Sequence, residues 1–226
     1  MSAGRERLVL VSGVDDAGRG CVIGPLVIAG ILVEERNISS LKSLGVKDSK
    51  QLSSRKRLLL VPKIEDVVLK SSYAYILPDE IDNAVLKGKK FQRLNFLEAK
   101  AMAKVIDQLN PDIAYVDACD VSADRYGCQV EDLLRTKSKV VSEHKADINH
   151  PVVSAASILA KVRRDSAIES LKLAYGDFGS GYPHDTKLRL FLAKCFEDNG
   201  CFPEVVRKSW KTVRDIVDLN CQRKLT

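Results

Sequence analysis

The first part of the chain alternates short apolar runs with a glycine-rich turn, a pattern typical of β-strands. Residues 8–14 form one apolar run, and residues 22–33 form a second that is rich in branched side chains. Between them lies the turn Gly18-Arg19-Gly20. The two runs predict neighbouring strands joined as a hairpin. Residues 38–50 lack such a pattern and are predicted to form a loop.

Farther along, apolar residues recur every three or four positions, which is the spacing of one face of an α-helix. Ser53 or Ser54 is suited to cap the first such helix, and Asn110-Pro111 ends the next. Pro151 favours the start of a third. The predicted helices cover residues 57–65, 91–109, 121–134 and 154–173, and the intervening strands cover residues 67–76, 113–116 and 139–142.

The order of these elements predicts an α/β sheet with helices packed against it. After Gly176 the pattern changes to a turn-rich break over residues 179–183, followed by short helices. The last twenty residues carry six basic and two acidic side chains. We therefore predict a main domain over residues 1–176 and a basic helical appendage over residues 177–226.

Composition narrows the class of protein further. Of 226 residues, 45% are hydrophobic and 29% are charged, which suits a folded domain and excludes a disordered or fibrous chain. The longest apolar run, residues 25–33, is far shorter than the roughly 20 residues of a membrane span. Residues 1–7 lack the features of a secretory signal. These observations predict a cytoplasmic protein, and the net charge of +6 favours polyanionic partners without requiring them.

The cysteines and histidines bear on whether the chain holds a soft-metal site. Six cysteines and three histidines show no CxxC, HExxH or zinc-finger spacing, which argues against a soft-metal centre. Free thiols are expected, although the even number of cysteines leaves disulfides open.

Four aspartates lie where predicted strands end or shortly afterwards. Asp15 and Asp16 follow the first strand, Asp117 ends the strand 113–116, and Asp147 follows the strand near residue 141. Ligand sites in open α/β sheets form beyond strand ends, and hard divalent cations prefer oxygen ligands. The aspartates therefore predict a site for divalent cations. Acids at strand ends can equally be loop residues at the solvent boundary.

The adjacent pair Asp15-Asp16 has a geometric constraint, because successive strand residues point to opposite faces. One of the two can point directly at a shared site, and the other must reach it through a distorted strand end or its backbone carbonyl. Asp165 is a rival for the fourth ligand position.

The turn Gly18-Arg19-Gly20 lacks a dinucleotide-binding GxGxxG motif and a Walker lysine pattern. Two glycines around one residue let a ligand approach the backbone closely, although a plain turn is an equal alternative. Tyr182, in the glycine-bracketed turn 179–183, can stack on a sugar or base or simply pack.

One face of the predicted helix 154–173 combines Ser154, Ser157, Lys161 and Arg164. Small hydroxyls near a helix start, followed by basic side chains, suit contact with a phosphate backbone. A solvated helix face is the simpler alternative. His144 is either a mobile base near the acids or an ordinary surface residue.

Taken together, these stretches resemble the ribonuclease HII family over nearly the whole chain. The glycine-tyrosine-proline and serine-tryptophan pairs near the end match its archaeal members. The resemblance rests on Gly13-Val14-Asp15-Asp16-Ala17-Gly18-Arg19-Gly20, Ile23-Gly24-Pro25-Leu26, Asp48-Ser49-Lys50, Val116-Asp117, His144-Lys145-Ala146-Asp147, residues 154–161, Gly181-Tyr182-Pro183 and Ser209-Trp210.

The resemblance implies an RNase H-like mixed five-stranded sheet flanked by helices, with a catalytic domain over 1–176 and a substrate-clamping helical segment over 177–226. It implies an endonuclease that hydrolyses the RNA strand of RNA/DNA hybrids and incises duplex DNA 5′ of embedded ribonucleotides, as in replication and ribonucleotide excision repair. Two Mg²⁺ or Mn²⁺ ions would assist attack by water and departure of the 3′-oxygen, leaving 5′-phosphate and 3′-hydroxyl ends.

The family's residue roles map onto positions of this sequence. The metal ligands and catalytic acids would be Asp15, Asp16, Asp117 and Asp147. The ribose-reading element would be Gly18, Arg19 and Gly20 with Tyr182. Substrate-backbone contacts would come from Lys50, Ser154, Ser157 and Lys161, and Arg164 would extend their positive surface.

Two residues depart from the family's pattern. Asp16 stands where glutamate is usual, which puts the metal distance, preferred cation or rate in question, and Cys21 stands where proline is common. We therefore keep two alternatives, a hybrid-binding protein without turnover and a related nuclease for branched DNA. Residues 222–225 lack the aromatic pair of a sliding-clamp-binding peptide, and a monomer is expected.

Overall fold

The computed structural model of the chain describes residues 8–46, 52–88 and 93–223. Within these ranges, no helix combines the length and apolarity that a membrane span requires. The strands are β1 Leu10–Ala17, β2 Leu26–Glu34, β3 Lys70–Ile76, β4 Ile113–Asp117 and β5 Lys139–Glu143. The helices are α1 Ile38–Ser43, α2 Ser54–Glu65, α3 Pro78–Lys87, α4 Leu94–Leu109, α5 Ala123–Glu131, α6 Ala146–Asn149, α7 Pro151–Tyr175, α8 Thr186–Asn199 and α9 Lys211–Arg223, with a 3-10 turn at Glu35–Asn37.

The strands form one five-stranded sheet in the order β3-β2-β1-β4-β5. β4 pairs in parallel with both β1 and β5, and the register aligns Val14 with Val116 and Asp117 with Glu143. Because parallel strands end at the same edge of a sheet, the residues after Val14 and Val116 lie side by side there. The predicted α/β fold with helices flanking a mixed sheet is confirmed.

Most predicted elements are present with shifted ends. Ser53 caps α2 by accepting a hydrogen bond from Lys56 N–H, and Asn110, at φ 51°, ends α4. β1 and β2 are sheet neighbours, as the hairpin requires, but β2 begins only at Leu26 because Ile23 makes an isolated bridge to Val206.

Three helices differ from the prediction, and one of them is the four-residue α6 after β5, where no helix was predicted. The segment predicted as a loop contains α1, a six-residue helix that buries a single side chain, Leu41, and so shows little apolar periodicity. α3 follows β3 directly and was not predicted. Its signals are Pro78 at the helix start and Glu80, whose carboxylate accepts a hydrogen bond from Leu77 N–H.

The chain forms two compact units. The first comprises residues 1–16, 28–74 and 99–162 and contains most of the sheet. Glycines permit two close approaches in it. At Gly30, a Cβ atom would lie 2.5 Å from Val105 Cγ1, so α4 packs directly on β2. At Gly13, a Cβ atom would lie 2.2 Å from the carbonyl carbon of Val152, so the start of α7 packs on β1.

The second unit comprises residues 17–27, 75–98 and 163–226. Its core joins Val22 and Ile23 to side chains of the C-terminal region, including Phe178, Leu188 and Leu192. The residues after 176 therefore share a core with much earlier segments. The compact units do not coincide with the division at residue 176, and the functional separation of residues 1–176 from 177–226 stays a prediction.

Candidate active site

The acidic site is built at the edge where β1 and β4 end. Asp15 follows Val14 on β1, Asp117 follows Val116 on β4, and these two valines are register partners. Neighbouring strands lie about 4.8 Å apart, so the fold brings the two aspartates side by side. Asp15 is buried and Asp16 is partly exposed, as expected for successive strand residues on opposite faces. Asp16 N–H donates to Asp15 Oδ1 at 2.7 Å.

Asp147 reaches the same region through the loop after β5. Ala146 N–H donates to Asp117 Oδ1 at 2.7 Å, which ties the start of α6 to the end of β4. Asp147 is the next residue and is buried. The hydroxyl of Ser154 donates to the Asp147 carbonyl, so the first turns of α7 hold this loop from the other side. The four predicted acids therefore belong to one unit, with Asp15, Asp16 and Asp117 at the ends of β1 and β4 and Asp147 in the loop that is hydrogen-bonded to Asp117.

The electrostatics of Asp15 show how closely these groups interact. Burial raises the pKa of Asp15 well above its ordinary value, and the negative charges of Asp16 and Asp117 raise it further. A hydrogen bond from Ser157 and the positive charge of Lys161 act in the opposite direction. Two members of the predicted polar face of α7 thus lie beside the acids.

In the part of the chain that the structure describes, no three His, Cys, Asp or Glu side chains are grouped closely enough to hold a metal ion as they stand. The aspartates interact as neighbours and do not form a closed cluster. Their oxygens are nevertheless the donor type that Mg²⁺ and Mn²⁺ prefer.

The glycine-rich turn lies in the second unit. Gly18 has a φ of +92°, and a Cβ atom there would lie 2.9 Å from Pro25 O, so only glycine fits without strain. Val22 N–H donates to Gly181 O at 2.8 Å, which joins this turn to the turn that carries Tyr182. A Cβ atom on Gly20 would lie 3.9 Å from Tyr182 Cε1. The predicted ribose-reading residues are therefore neighbours.

Arg164 fixes the Tyr182 side chain. Its guanidinium carbon lies 4.6 Å from the centre of the Tyr182 ring, and its Nη2 donates to Cys21 Sγ at 2.9 Å and to Ser180 O at 2.6 Å. Burial raises the pKa of Tyr182 to about 12, with Cys21 adding to the effect and Arg164 opposing it. The phenol is therefore neutral at physiological pH.

The polar face of α7 is not a solvated one. Ser154, Ser157 and Arg164 are buried. Arg164 Nη1 also donates to Asp165 Oδ1 at 2.8 Å, so Asp165, the rival fourth ligand, pairs with a buried arginine. Burial acts to lower the pKa of Arg164, but Cys21, Tyr182 and Asp165 raise it on balance. Contact of these side chains with a phosphate backbone stays a prediction.

Other predicted residues have simpler positions. Lys50 lies outside the described residues. His144 is exposed, with its Nε2 atom 3.3 Å from Val121 O. The six cysteines are free thiols, as expected.

Sequence reasoning missed Arg207 and Glu98, both fully buried in the second unit. Arg207 was counted among the charges of a basic appendage. Instead its guanidinium donates to Arg19 O at 2.9 Å and twice to Gly24 O, at 2.9 and 3.0 Å, and stacks on Trp210. Burial lowers the pKa of Arg207 to about 10. The pattern of charges in a sequence does not distinguish a buried arginine from exposed ones. The one available indication that Arg207 is buried was Trp210, three residues later, on which it stacks.

Among solved structures, the fold is similar to the crystal structure of the ribonuclease H2 from Pyrococcus horikoshii OT3. The TM-score is 0.86, the sequences are 41% identical, and the match covers 93% of this chain and 98% of that one. It is also similar to a chain in the structure of the PCNA:RNase HII complex from Archaeoglobus fulgidus, with a TM-score of 0.80, 41% identity and coverage of 91% and 96%. Fold and acidic edge together define an endonuclease of the ribonuclease H class.

The sequence comparisons narrow this class. The family model described as Ribonuclease HII matches residues 12–213. The Ribonuclease HII of Pyrococcus furiosus is 45% identical over 208 residues, covering 91% of this chain and 90% of that protein. The chain belongs to the ribonuclease HII family, which cleaves RNA in RNA/DNA hybrids, and the resemblance noted in the sequence is confirmed.

Proposed function

We propose that this chain, besides hydrolysing the RNA strand of RNA/DNA hybrids, incises duplex DNA 5′ of embedded ribonucleotides and leaves 5′-phosphate and 3′-hydroxyl ends. The observation that carries this proposal is the proximity of Asp15, Asp16 and Asp117 at one edge of the sheet, where burial and then the charges of Asp16 and Asp117 raise the pKa of Asp15. Such an edge suits cation-assisted hydrolysis of a phosphodiester.

The residues present fit two divalent cations. All four acids, Asp15, Asp16, Asp117 and Asp147, offer carboxylate oxygens and lie within one unit. Their mutual repulsion is the kind of conflict that bound Mg²⁺ or Mn²⁺ removes. When bound, such ions lower the pKa of an attacking water and stabilise the leaving 3′-oxygen. Binding would require the carboxylates to close around the ions.

The side chains of the chain have distinct tasks in this proposal. Asp15 and Asp117, on adjacent strands, would hold the cations, and Asp16 and Asp147 would complete the sites. Ser157 and Lys161 favour the ionised form of Asp15, because both oppose the rise in its pKa that burial and the neighbouring acids cause. Lys161 also carries positive charge toward the scissile phosphate.

Selectivity for ribose comes from the second unit. The 2′-hydroxyl is the group that distinguishes RNA from DNA, and the open backbone of Gly18, Arg19 and Gly20 can hydrogen-bond to it. Tyr182, held by Arg164, stacks on the sugar that follows the ribonucleotide. This arrangement favours cleavage at RNA-to-DNA junctions.

The remaining substrate contacts are to the nucleic-acid backbone. Lys50, Ser154, Ser157, Lys161 and Arg164 contribute to these contacts, and the segment 177–226 clamps the duplex. The Archaeoglobus fulgidus relative was solved with PCNA. Residues 222–225 of this chain lack the aromatic pair of a clamp-binding peptide. We expect a monomer in the cytoplasm.

A cleavage assay on two duplexes tests the proposed function. One duplex carries a single ribonucleotide, and the other is all DNA of the same sequence. With Mg²⁺ or Mn²⁺, we expect one cut 5′ of the ribonucleotide, ending in 3′-hydroxyl and 5′-phosphate, and no cut with chelator. Cleavage of an all-DNA four-way junction, with the ribonucleotide duplex left intact, would instead support the branched-DNA nuclease.

Replacing Asp16 with glutamate tests the unusual second acid. The natural chain should cleave, because a shorter carboxylate still supplies an oxygen ligand. We expect Asp16→Glu to change kcat by about tenfold or less, which corresponds to about 1.4 kcal/mol of transition-state stabilisation. It should also shift the ratio of Mg²⁺ to Mn²⁺ activity, because one more methylene changes the reach of the carboxylate and Mg²⁺ demands near-ideal geometry. If only the glutamate variant cleaves, at equal folding, the natural chain is a hybrid-binding protein without turnover.

A further inference from the structure

Glu98 is a buried carboxylate outside the set of predicted metal ligands. Its side chain is 0% exposed and forms an ion pair with the guanidinium of Arg19, the central residue of the glycine-rich turn. Its other carboxylate oxygen, Oε1, has no hydrogen-bond partner among the described residues. A buried charge is costly unless it is paired, so Glu98 depends on Arg19.

Arg19 is also held by a second acceptor on the same helix. Its Nη2 donates to Asn95 Oδ1 at 2.7 Å. Asn95 and Glu98 are three residues apart on α4 and therefore present their side chains on one face. The planar fork of an arginine suits two fixed acceptors, which lysine cannot match. The Arg19 side chain is thus directed into the protein and away from a role as a freely moving phosphate ligand.

The backbone of the same turn is held from another side. Arg207 donates to the carbonyls of Arg19 and Gly24. The side chain of Arg19 is therefore anchored by α4 and its carbonyl by Arg207. Rotation of the peptide groups around Arg19 would break one of these contacts.

We propose that Glu98 is a positioning residue for ribose recognition. By fixing Arg19, it sets the direction in which the amide and carbonyl groups of residues 18–20 meet the 2′-hydroxyl. The inference rests on the proposed function of this turn. It assigns to Glu98 no contact with substrate and no role in holding cations.

The test measures binding in an Asp117→Asn background, so that no substrate is consumed. Dissociation constants are determined for two duplexes that differ only in one 2′-hydroxyl. We expect the parent to prefer the ribonucleotide duplex and Glu98→Gln to reduce this preference about fivefold, as for a lost hydrogen bond, with unchanged affinity for all-DNA duplex. Arg19→Lys should reduce the ribose preference by a similar factor, and combining both changes should reduce it little further.

A core variant controls for general loss of stability. Leu192→Ala removes a buried side chain from the same unit without touching the turn. Each variant is measured the same number of degrees below its own unfolding temperature. Under these conditions, Leu192→Ala should keep the ribose preference that Glu98→Gln loses. If the parent prefers the ribonucleotide duplex and Glu98→Gln prefers it equally, the role of Glu98 is refuted, but the proposed function of the turn is not. A parent without any ribose preference would overturn the proposed function of the turn.

Discussion

Replacing Asp117 with asparagine is expected to abolish cleavage while leaving binding of an RNA/DNA hybrid intact or improved. Asparagine keeps an oxygen that can accept the hydrogen bond from Ala146 N–H, so the loop carrying Asp147 should stay in place. The negative charge beside Asp15 is lost, which weakens cation binding and reduces repulsion of the substrate phosphates. Losing several kcal/mol of transition-state stabilisation lowers kcat by roughly 10³-fold or more. Single-turnover cleavage and hybrid binding measure the two effects.

Asp112→Asn is a matched control directly before the same strand. The Asp112 carboxylate accepts a hydrogen bond from Leu10 N–H at 2.9 Å. Asparagine keeps an oxygen that can accept the hydrogen bond from Leu10 N–H. We therefore expect Asp112→Asn to leave kcat within about threefold of that of the natural chain, because one such hydrogen bond contributes only about 1 kcal/mol. Unchanged turnover in Asp117→Asn would refute the role of Asp117.

The fold could be predicted where the local sequence pattern and the tertiary packing favour the same strand or helix. The apolar runs around β1 and β2 are buried in one sheet, and the long helices show helical spacing because one face packs on that sheet. α1 was missed because it buries only Leu41. The start of β2 was misplaced because Val22 and Ile23 are as apolar as a strand but belong to the core of the second unit.

In the candidate site, too, some residues could be predicted from the sequence and others could not. Strand ends fix the positions of Asp15 and Asp117, so aspartates there could be recognised as neighbours from the sequence. Glu98 and Arg207 could not, because their roles depend on contacts between segments far apart in the chain. An arginine 188 residues from Arg19 donates to its carbonyl, and no local pattern encodes such a pairing. Burial of Arg164 likewise became evident only in the fold.

Replacing Gly13 with alanine is expected to have the largest effect on folding. A Cβ atom there would lie 2.2 Å from the carbonyl carbon of Val152 and 2.4 Å from Val153 N. These are backbone atoms of α7 and cannot rotate away, so the helix start must move off β1. Overpacking of this kind costs about 3 kcal/mol of unfolding free energy. Urea denaturation of the two proteins measures it.

The displacement should also reach the site, because the moved turns of α7 carry Ser154 and Ser157, which contact Asp147 O and Asp15. We therefore expect Gly13→Ala to lose cleavage activity even under conditions where it remains folded. Gly20→Ala is the steric control, since among the described residues its Cβ would meet only Tyr182 Cε1, at an ordinary 3.9 Å. Its unfolding free energy should stay within about 1 kcal/mol of the natural chain. Equal stability of Gly13→Ala would show that α7 does not rest on β1 at this glycine.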